Sequence, residues 1–199
     1  MIVKESNKNI DTLAFQLSKE GKICCGDSFY IKATDDYYIC ALADGLGSGE
    51  RANDSSSAIS TLVENNHAED VDVLIDLCNK ELKDKRGATV SILKFFFKSK
   101  QFTYSSVGNI RFILCTPSGS FIYPLPLLGY LSGKPQKYRT HTYSYEEGSK
   151  FIIHTDGLVL PAIKSLLRNG ESVEDLSRLL DEFTLSRKDD LTYIVGQLF

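Results

Sequence analysis

No stretch of this 199-residue chain is apolar for long enough to cross a bilayer. Residues 1–10 are polar and lack the apolar core of a secretory leader. Both absences point to a cytoplasmic protein with no membrane role. Positive charge is not in excess: 23 Lys and Arg face 26 Asp and Glu, a formal net charge of −3. A nucleic-acid binder needs a basic footprint to meet phosphates, so no nucleic-acid partner is expected. Five cysteines are present (Cys24, Cys25, Cys40, Cys78 and Cys115), but no CxxC pair, which argues against a zinc site. Their odd number and irregular spacing suit reduced thiols used as core fillers. No Pro/Gly/Ser linker, internal repeat or low-complexity tract divides the chain, so residues 1–199 are expected to form a single domain. No uncovered apolar helix face stands out, and a monomer is expected.

What is present is strand-like sequence interrupted twice by helical sequence. Residues 29–33 and 37–43 are β-like runs separated by Thr34, Asp35 and Asp36, which suit a turn. Residues 52–64 carry Ala58, Ile59, Leu62 and Val63 at helical spacing. Residues 71–82 place Val71, Leu74, Ile75, Cys78 and Leu82 on one stripe. A β-rich half follows, at 89–97, 101–107, 110–115, 121–125, 138–145 and 150–154, broken by turn pairs such as Gly108-Asn109 and Ser118-Gly119. Residues 165–167 and 173–183 are helical again, with Ser172 placed as a cap and Asp175 as its acidic first-turn partner. Residues 191–198 make a last strand. Helix pairs flanked by antiparallel strands predict an α+β fold, an αββα sandwich of two sheets between helices.

Four aspartate motifs fall where a strand should end beside a turn: Gly26-Asp27-Ser28, the glycine-rich run 43–49 with Asp44 and Gly45, His154-Thr155-Asp156-Gly157, and Asp189-Asp190-Leu191-Thr192. A carboxylate at the end of a buried strand is held rigidly at a crevice, and a glycine after it lets the backbone turn closely. Converging carboxylates repel one another unless a cation sits between them. Hard oxygen ligands suit Mg²⁺ or Mn²⁺ rather than zinc or copper. Two such ions, about 3.5–4 Å apart, can bridge a water and lower its pKa towards about 7, so that it attacks phosphorus without a side-chain nucleophile. A single Asp-Gly pair is most often only a turn; the weight lies in four motifs in this order.

Those motifs resemble the PPM family, the metal-dependent serine/threonine phosphatases. The run 43–49 looks like the bacterial branch of sporulation and stress-response phosphatases. The stretches 154–157 and 186–192 look like the family's late metal motifs, and Gly87-Ala88-Thr89 and Val107-Gly108-Asn109 like its inner-strand motifs. The resemblance covers about residues 23–199. It implies two ions, Mn²⁺ or Mg²⁺, with Asp44 touching both and the Gly45 carbonyl binding one. Asp156 and Asp189 would complete the second site. Asp27 would hold metal or metal-bound water, which makes Asp27 and Asp44 the catalytic pair. Asp190 would orient a ligand or water from behind. The implied substrates are phosphoserine or phosphothreonine on phosphorylated antagonist-type proteins of a stress-signalling complex, with the enzyme as a negative, feedback regulator.

Two departures from the family pattern matter. Larger members carry an Arg ahead of the first acidic motif to hold phosphate; the stretch 19–22 has none, and only Lys22 stands in as a partial substitute. They also carry a His after the second Asp-Gly as general acid; Leu46 occupies that place and cannot donate a proton. A second reading is therefore a catalytically weak, phosphatase-like module that binds phosphoproteins. A third is a metal-binding scaffold. His154 reads as structural, turned away from the metals if its segment is a strand; Arg111, just after Gly108-Asn109, could reach a phosphate but reads first as a surface salt-bridge former. Ser28 and Ser48 lack the partners of a hydrolytic triad. The glycines at 45–49 lack the Lys-Ser/Thr ending of a nucleotide loop.

Overall fold

Strand alternation and its exceptions lay out the molecule. The structure, a computed structural model, describes residues 1–185 and 188–199. Its first sheet has the order β1-β2-β11-β10-β7-β8, built from Ile2–Asn7, Ile10–Leu17, Leu191–Leu198, Lys150–His154, Arg111–Cys115 and Phe121–Ile122. The second has the order β3-β4-β5-β6-β9, from Asp27–Ala33, Tyr37–Gly45, Ala88–Phe96, Gln101–Val107 and Thr140–Ser144. Neighbouring strands within both sheets pair antiparallel. Helices α1 (Glu50–Asn66) and α2 (Val71–Glu81) cover the outer face of the second sheet, and α3 (Ile163–Asn169) and α4 (Val173–Leu180) that of the first. This is the expected αββα sandwich.

Residues 37–43 of β4 are apolar without a break because both faces of the strand are covered there. Tyr38, Cys40 and Leu42 point between the sheets, where they join Phe95, Phe102, Phe112 and Phe151. Ile39, Ala41 and Ala43 point the other way, against Ile59 and Val63 of α1 and Leu74 and Ile75 of α2. The interior is aromatic: Phe95 stacks on Phe151 at 5.0 Å and meets Phe102 at 5.0 Å. Each such side chain stabilises the fold by roughly 1.5–3 kcal/mol on full burial. The same parity aims the strand ends. Asp44 continues the inward series of β4, Asp27 that of Phe29 and Ile31, Thr155 that of Phe151 and Ile153, and Thr192 that of Ile194.

Three local features differ from the expectation. Residues 1–17, given no element from the sequence and read as polar over 1–10, form the hairpin β1–β2, with Asn7 paired to Ile10. Asn7 Oδ1 accepts from the Asn9 and Ile10 amides at 2.9 and 3.2 Å, closing the turn with a side chain. The hairpin is an edge whose outer strand is largely open to solvent, so its alternation is weak in the sequence. Strand β8 stops at Ile122 rather than 125; Pro124 and Pro126 withhold the amides a longer strand needs. Helix α4 ends at Leu180 and tightens into a 3₁₀ turn, Asp181–Thr184. Its start follows the sequence: Ser172 Oγ accepts from the Asp175 amide at 3.1 Å, while the Asp175 carboxylate accepts from the Glu171 amide at 3.1 Å.

Candidate metal centre

At one end of the sandwich the four motifs converge, two from each sheet. Asp27 and Asp44 are direct cross-strand partners in the β3–β4 ladder, and Asp44 in turn pairs with Thr89 of β5. From the first sheet come Asp156, just beyond β10, and Asp189 and Asp190, just before β11. A hydroxyl joins the halves: Thr155 Oγ1 donates to Asp27 Oδ2 at 2.9 Å and accepts from the Thr192 amide at 3.0 Å. Gln16, on the hairpin absent from the expectation, donates to the Asp27 carbonyl at 3.1 Å and to Thr192 Oγ1 at 3.3 Å. Asp190 is buried, and its Oδ1 accepts from the Lys19 amide at 2.9 Å. Ser186 and Arg187 of the last motif lie outside the described residues.

The glycines are dictated by packing. A Cβ on Gly45 would stand 2.0 Å from the Ala52 carbonyl oxygen, and one on Gly157 would stand 2.0 Å from that of Asp190. Only hydrogen fits at either place, and both contacts press a motif backbone against its neighbour.

Electrostatics follow from this crowding. Burial pushes the Asp44 carboxyl up to about 8, with the charges of Asp27, Asp156, Asp189 and Asp190 adding to the rise. Burial likewise pushes Asp27 up to about 7; the Thr192 and Thr155 hydroxyls pull against it, while Asp190 and Asp156 add to it. Asp156 is raised by burial and by Asp189. Asp27 Oδ1 is buried with no partner. Among the described residues, no three His, Cys, Asp or Glu side chains close into a ready-made ligand group. The arrangement is an open cluster of carboxylates that includes one buried oxygen without a partner. That fits a hard, water-carrying cation such as Mg²⁺, which takes one or two carboxylates and keeps several waters, and fits no compact His/Cys cage.

Several residues around this ring were not legible as site residues. Asn109 Nδ2 donates to Asp156 Oδ2 at 2.7 Å and fixes that carboxylate; the turn pair Gly108-Asn109 gave its location but not its role. Lys19, not Lys22, is the member of the stretch 19–22 that meets the centre: its Nζ is 4.0 Å from Asp189 Oδ1, between two well-exposed groups, a weak pair. His154 is buried and its imidazole is lowered to about 4, first by burial. Its Nδ1 lies 2.8 Å from the Thr155 carbonyl, which only accepts, so the proton sits on Nδ1. Its burial and its bond to a carbonyl suit a structural histidine, although it shares a strand face with Asp156. Arg111 departs from expectation: it makes no salt bridge among the described residues and lines a groove of about 800 Å³ together with Asn109, His154 and Asp156. The Leu46 amide donates to the Gly87 carbonyl at 3.0 Å, so the motif at 87–89 buttresses the loop after Asp44.

Known proteins share this architecture. The chain is 64% identical to the phosphoserine phosphatase RsbX of Bacillus subtilis (strain 168) over 198 residues, the whole of both chains. A crystal structure of RsbX in complex with magnesium superposes with a TM-score of 0.97 at 63% identity over all of both chains. A structure from work on the bacterial stressosome matches with a TM-score of 0.86 at 28% identity, covering 96% of this chain and all of the other. The family model for Stage II sporulation protein E (SpoIIE) matches residues 34–198. With its carboxylate ring at the end of an αββα sandwich, the chain belongs to the SpoIIE family of PPM-type phosphatases.

Proposed function

We infer that this chain is a metal-dependent phosphoserine/phosphothreonine protein phosphatase acting on phosphorylated signalling partners of a bacterial stress pathway. The observation that carries the reading is Asp44: a half-buried carboxyl, paired across the ladder with Asp27 and raised first by its burial and then by four surrounding aspartates. Such a group is held at high electrostatic cost without a cation and suits a site that takes one. Full-length identity of 64% to a phosphoserine phosphatase supports the chemistry.

Asp27, Asp44, the Gly45 carbonyl, Asp156 and Asp189 are the groups that would hold two ions, Mn²⁺ or Mg²⁺. When bound, such ions supply Lewis-acid charge for the phosphoryl oxygens and acidify water. The chain's own residues do the positioning. Thr155 holds one Asp27 oxygen and leaves the other buried and without a partner. Asn109 holds Asp156. Asp190, anchored by the Lys19 amide, supports the centre from behind. No histidine serves as general acid: Leu46 has no proton to give, and His154 is neutral near pH 7 with its proton committed to a carbonyl. The finer reading is an antagonist-type phosphoprotein as substrate, a cytoplasmic monomer as the working form, and feedback inhibition of the stress signal as the outcome. The chain's similarity to RsbX and to the stressosome-related structure supports this role, and no helix among the described residues is long and apolar enough to cross a membrane.

The test is phosphate release from a serine-phosphorylated antagonist protein, with Mn²⁺ and then with EDTA. Release abolished by EDTA is expected. Tight phosphoprotein binding with no release in Mn²⁺ would favour the binding-module reading instead.

A further inference from the structure

We propose that Arg111 is the phosphate-binding side chain of this enzyme, and that the groove it lines receives the phosphorylated segment of the substrate protein. The proposal rests on the phosphatase reading and names the residue that replaces the Arg missing from the stretch 19–22. Arg111 opens β7 and stands opposite His154 in the β7–β10 ladder. Asn109 lies two residues before Arg111, and Asp156 two residues after His154. Asn109 and Asp156 are joined at 2.7 Å. The two pairs are thus successive steps along one groove wall: a hydrogen-bonded carboxylate of the metal centre, then a guanidinium.

The guanidinium is available. Arg111 is exposed and has no ion pair or hydrogen-bond partner among the described residues. The neighbouring cations are engaged differently: Lys164 Nζ lies 5.2 Å from the Phe121 ring centre and Arg168 Cζ lies 4.8 Å from it. A planar fork of donors beside a metal-binding carboxylate suits a phosphoryl group, whose oxygens face the ions on one side and are free on the other.

The rest of the groove suits a protein substrate rather than free phosphate. It runs on past Tyr123, Leu128 and Val159, whose exposures of 48%, 89% and 75% form an apolar rim. About 800 Å³ holds several residues of chain, far more than one phosphoryl group. The occupant this charge and shape fit is an extended phosphoserine segment with apolar neighbours, its phosphate between Arg111 and the carboxylate ring.

The experiment compares wild type, Arg111→Ala and Arg111→Lys, each loaded with Mn²⁺. It uses steady-state turnover of p-nitrophenyl phosphate and of a phosphoserine protein, and calorimetric binding of inorganic phosphate. Losing a charge-assisted fork should weaken phosphate binding and raise KM for both substrates by about tenfold or more, with kcat falling less than KM rises. Lysine keeps the charge but not the fork and should fall between. Melting temperature should stay at the wild-type value, since the side chain is exposed, and Mn²⁺ is kept saturating throughout. Unchanged KM and unchanged phosphate affinity in Arg111→Ala overturn the proposal, as does a fall in kcat at constant KM. If wild type releases no phosphate at all, the phosphatase reading fails, and the binding comparison still decides the role of Arg111.

Discussion

Thr155 donates its hydroxyl proton to Asp27 across 2.9 Å, and in doing so ties one sheet of the sandwich to the other at the end where the aspartates gather. Thr155 is fully buried and takes the Thr192 amide on its own oxygen. Replacing it by valine keeps the shape, strands that amide and frees Asp27 to turn. Outer partners of metal ligands typically govern affinity by about 10–100-fold. Thr155→Val should therefore lower Mn²⁺ affinity by about tenfold or more, read by titration calorimetry, with phosphate release restored at high Mn²⁺.

Asp44→Asn removes a proposed ligand and, at the same time, one charge from a crowded ring. Phosphate release should fall by at least about a hundredfold. The metal-free protein should become more stable at pH 8, because the surrounding carboxylates lose a repelling neighbour. Activity assays and thermal melts in EDTA read the two effects, which move in opposite directions.

Stability of the metal-free protein should also depend on pH with a definite sign. Asp27 and Asp44 have folded-state values of about 7 and about 8, above the ordinary 3.8. Between those limits the folded chain binds more protons than the unfolded one, so unfolding becomes easier as pH rises from about 4 to about 8. Melts in EDTA should show a falling midpoint over that window. Saturating Mn²⁺ should flatten or reverse the slope, since ions replace the protons.

Lys94 makes a prediction away from the site. It is buried in β5, and its Nζ donates to the carbonyls of His67, Ala68 and Glu69 at 3.1, 2.8 and 2.8 Å, just past the end of α1. The same ammonium lies 4.1 Å from the centre of the Tyr37 ring. Lys94→Met keeps the volume but leaves those carbonyls without their donor. A loss of about 2–3 kcal/mol in urea unfolding is expected, with Mn²⁺ affinity unchanged.

The sequence revealed the ends of strands better than their company. Strands β6, β10 and β11 begin and end where alternation and turn residues placed them, because a buried face imposes a pattern that composition cannot blur. The hairpin β1–β2 escaped notice because its outer strand is half exposed, and so Gln16's hold on the Asp27 carbonyl escaped too. The aspartates were visible because each ends a strand beside a flexible turn. Asn109 and Arg111 were marked only by the turn they follow, which left a phosphate contact for Arg111 as the second choice: their meaning depends on β7 lying beside β10, a neighbour some 40 residues away in sequence. Sheet order is settled by packing over the whole chain, so roles that arise from it are the last to become readable.

The aromatic interior gains a second duty from the geometry at its end. Asp27 and Asp44 ride on one sheet, Asp156 and Asp189 on the other, and the stacked pair Phe95 and Phe151 keeps those sheets in register. A change of side-chain volume there slides the two halves of the ring past each other. Such variants should then behave as affinity mutants, folding well yet demanding more metal, so that the calibration of the catalytic end is set by rings buried out of its reach.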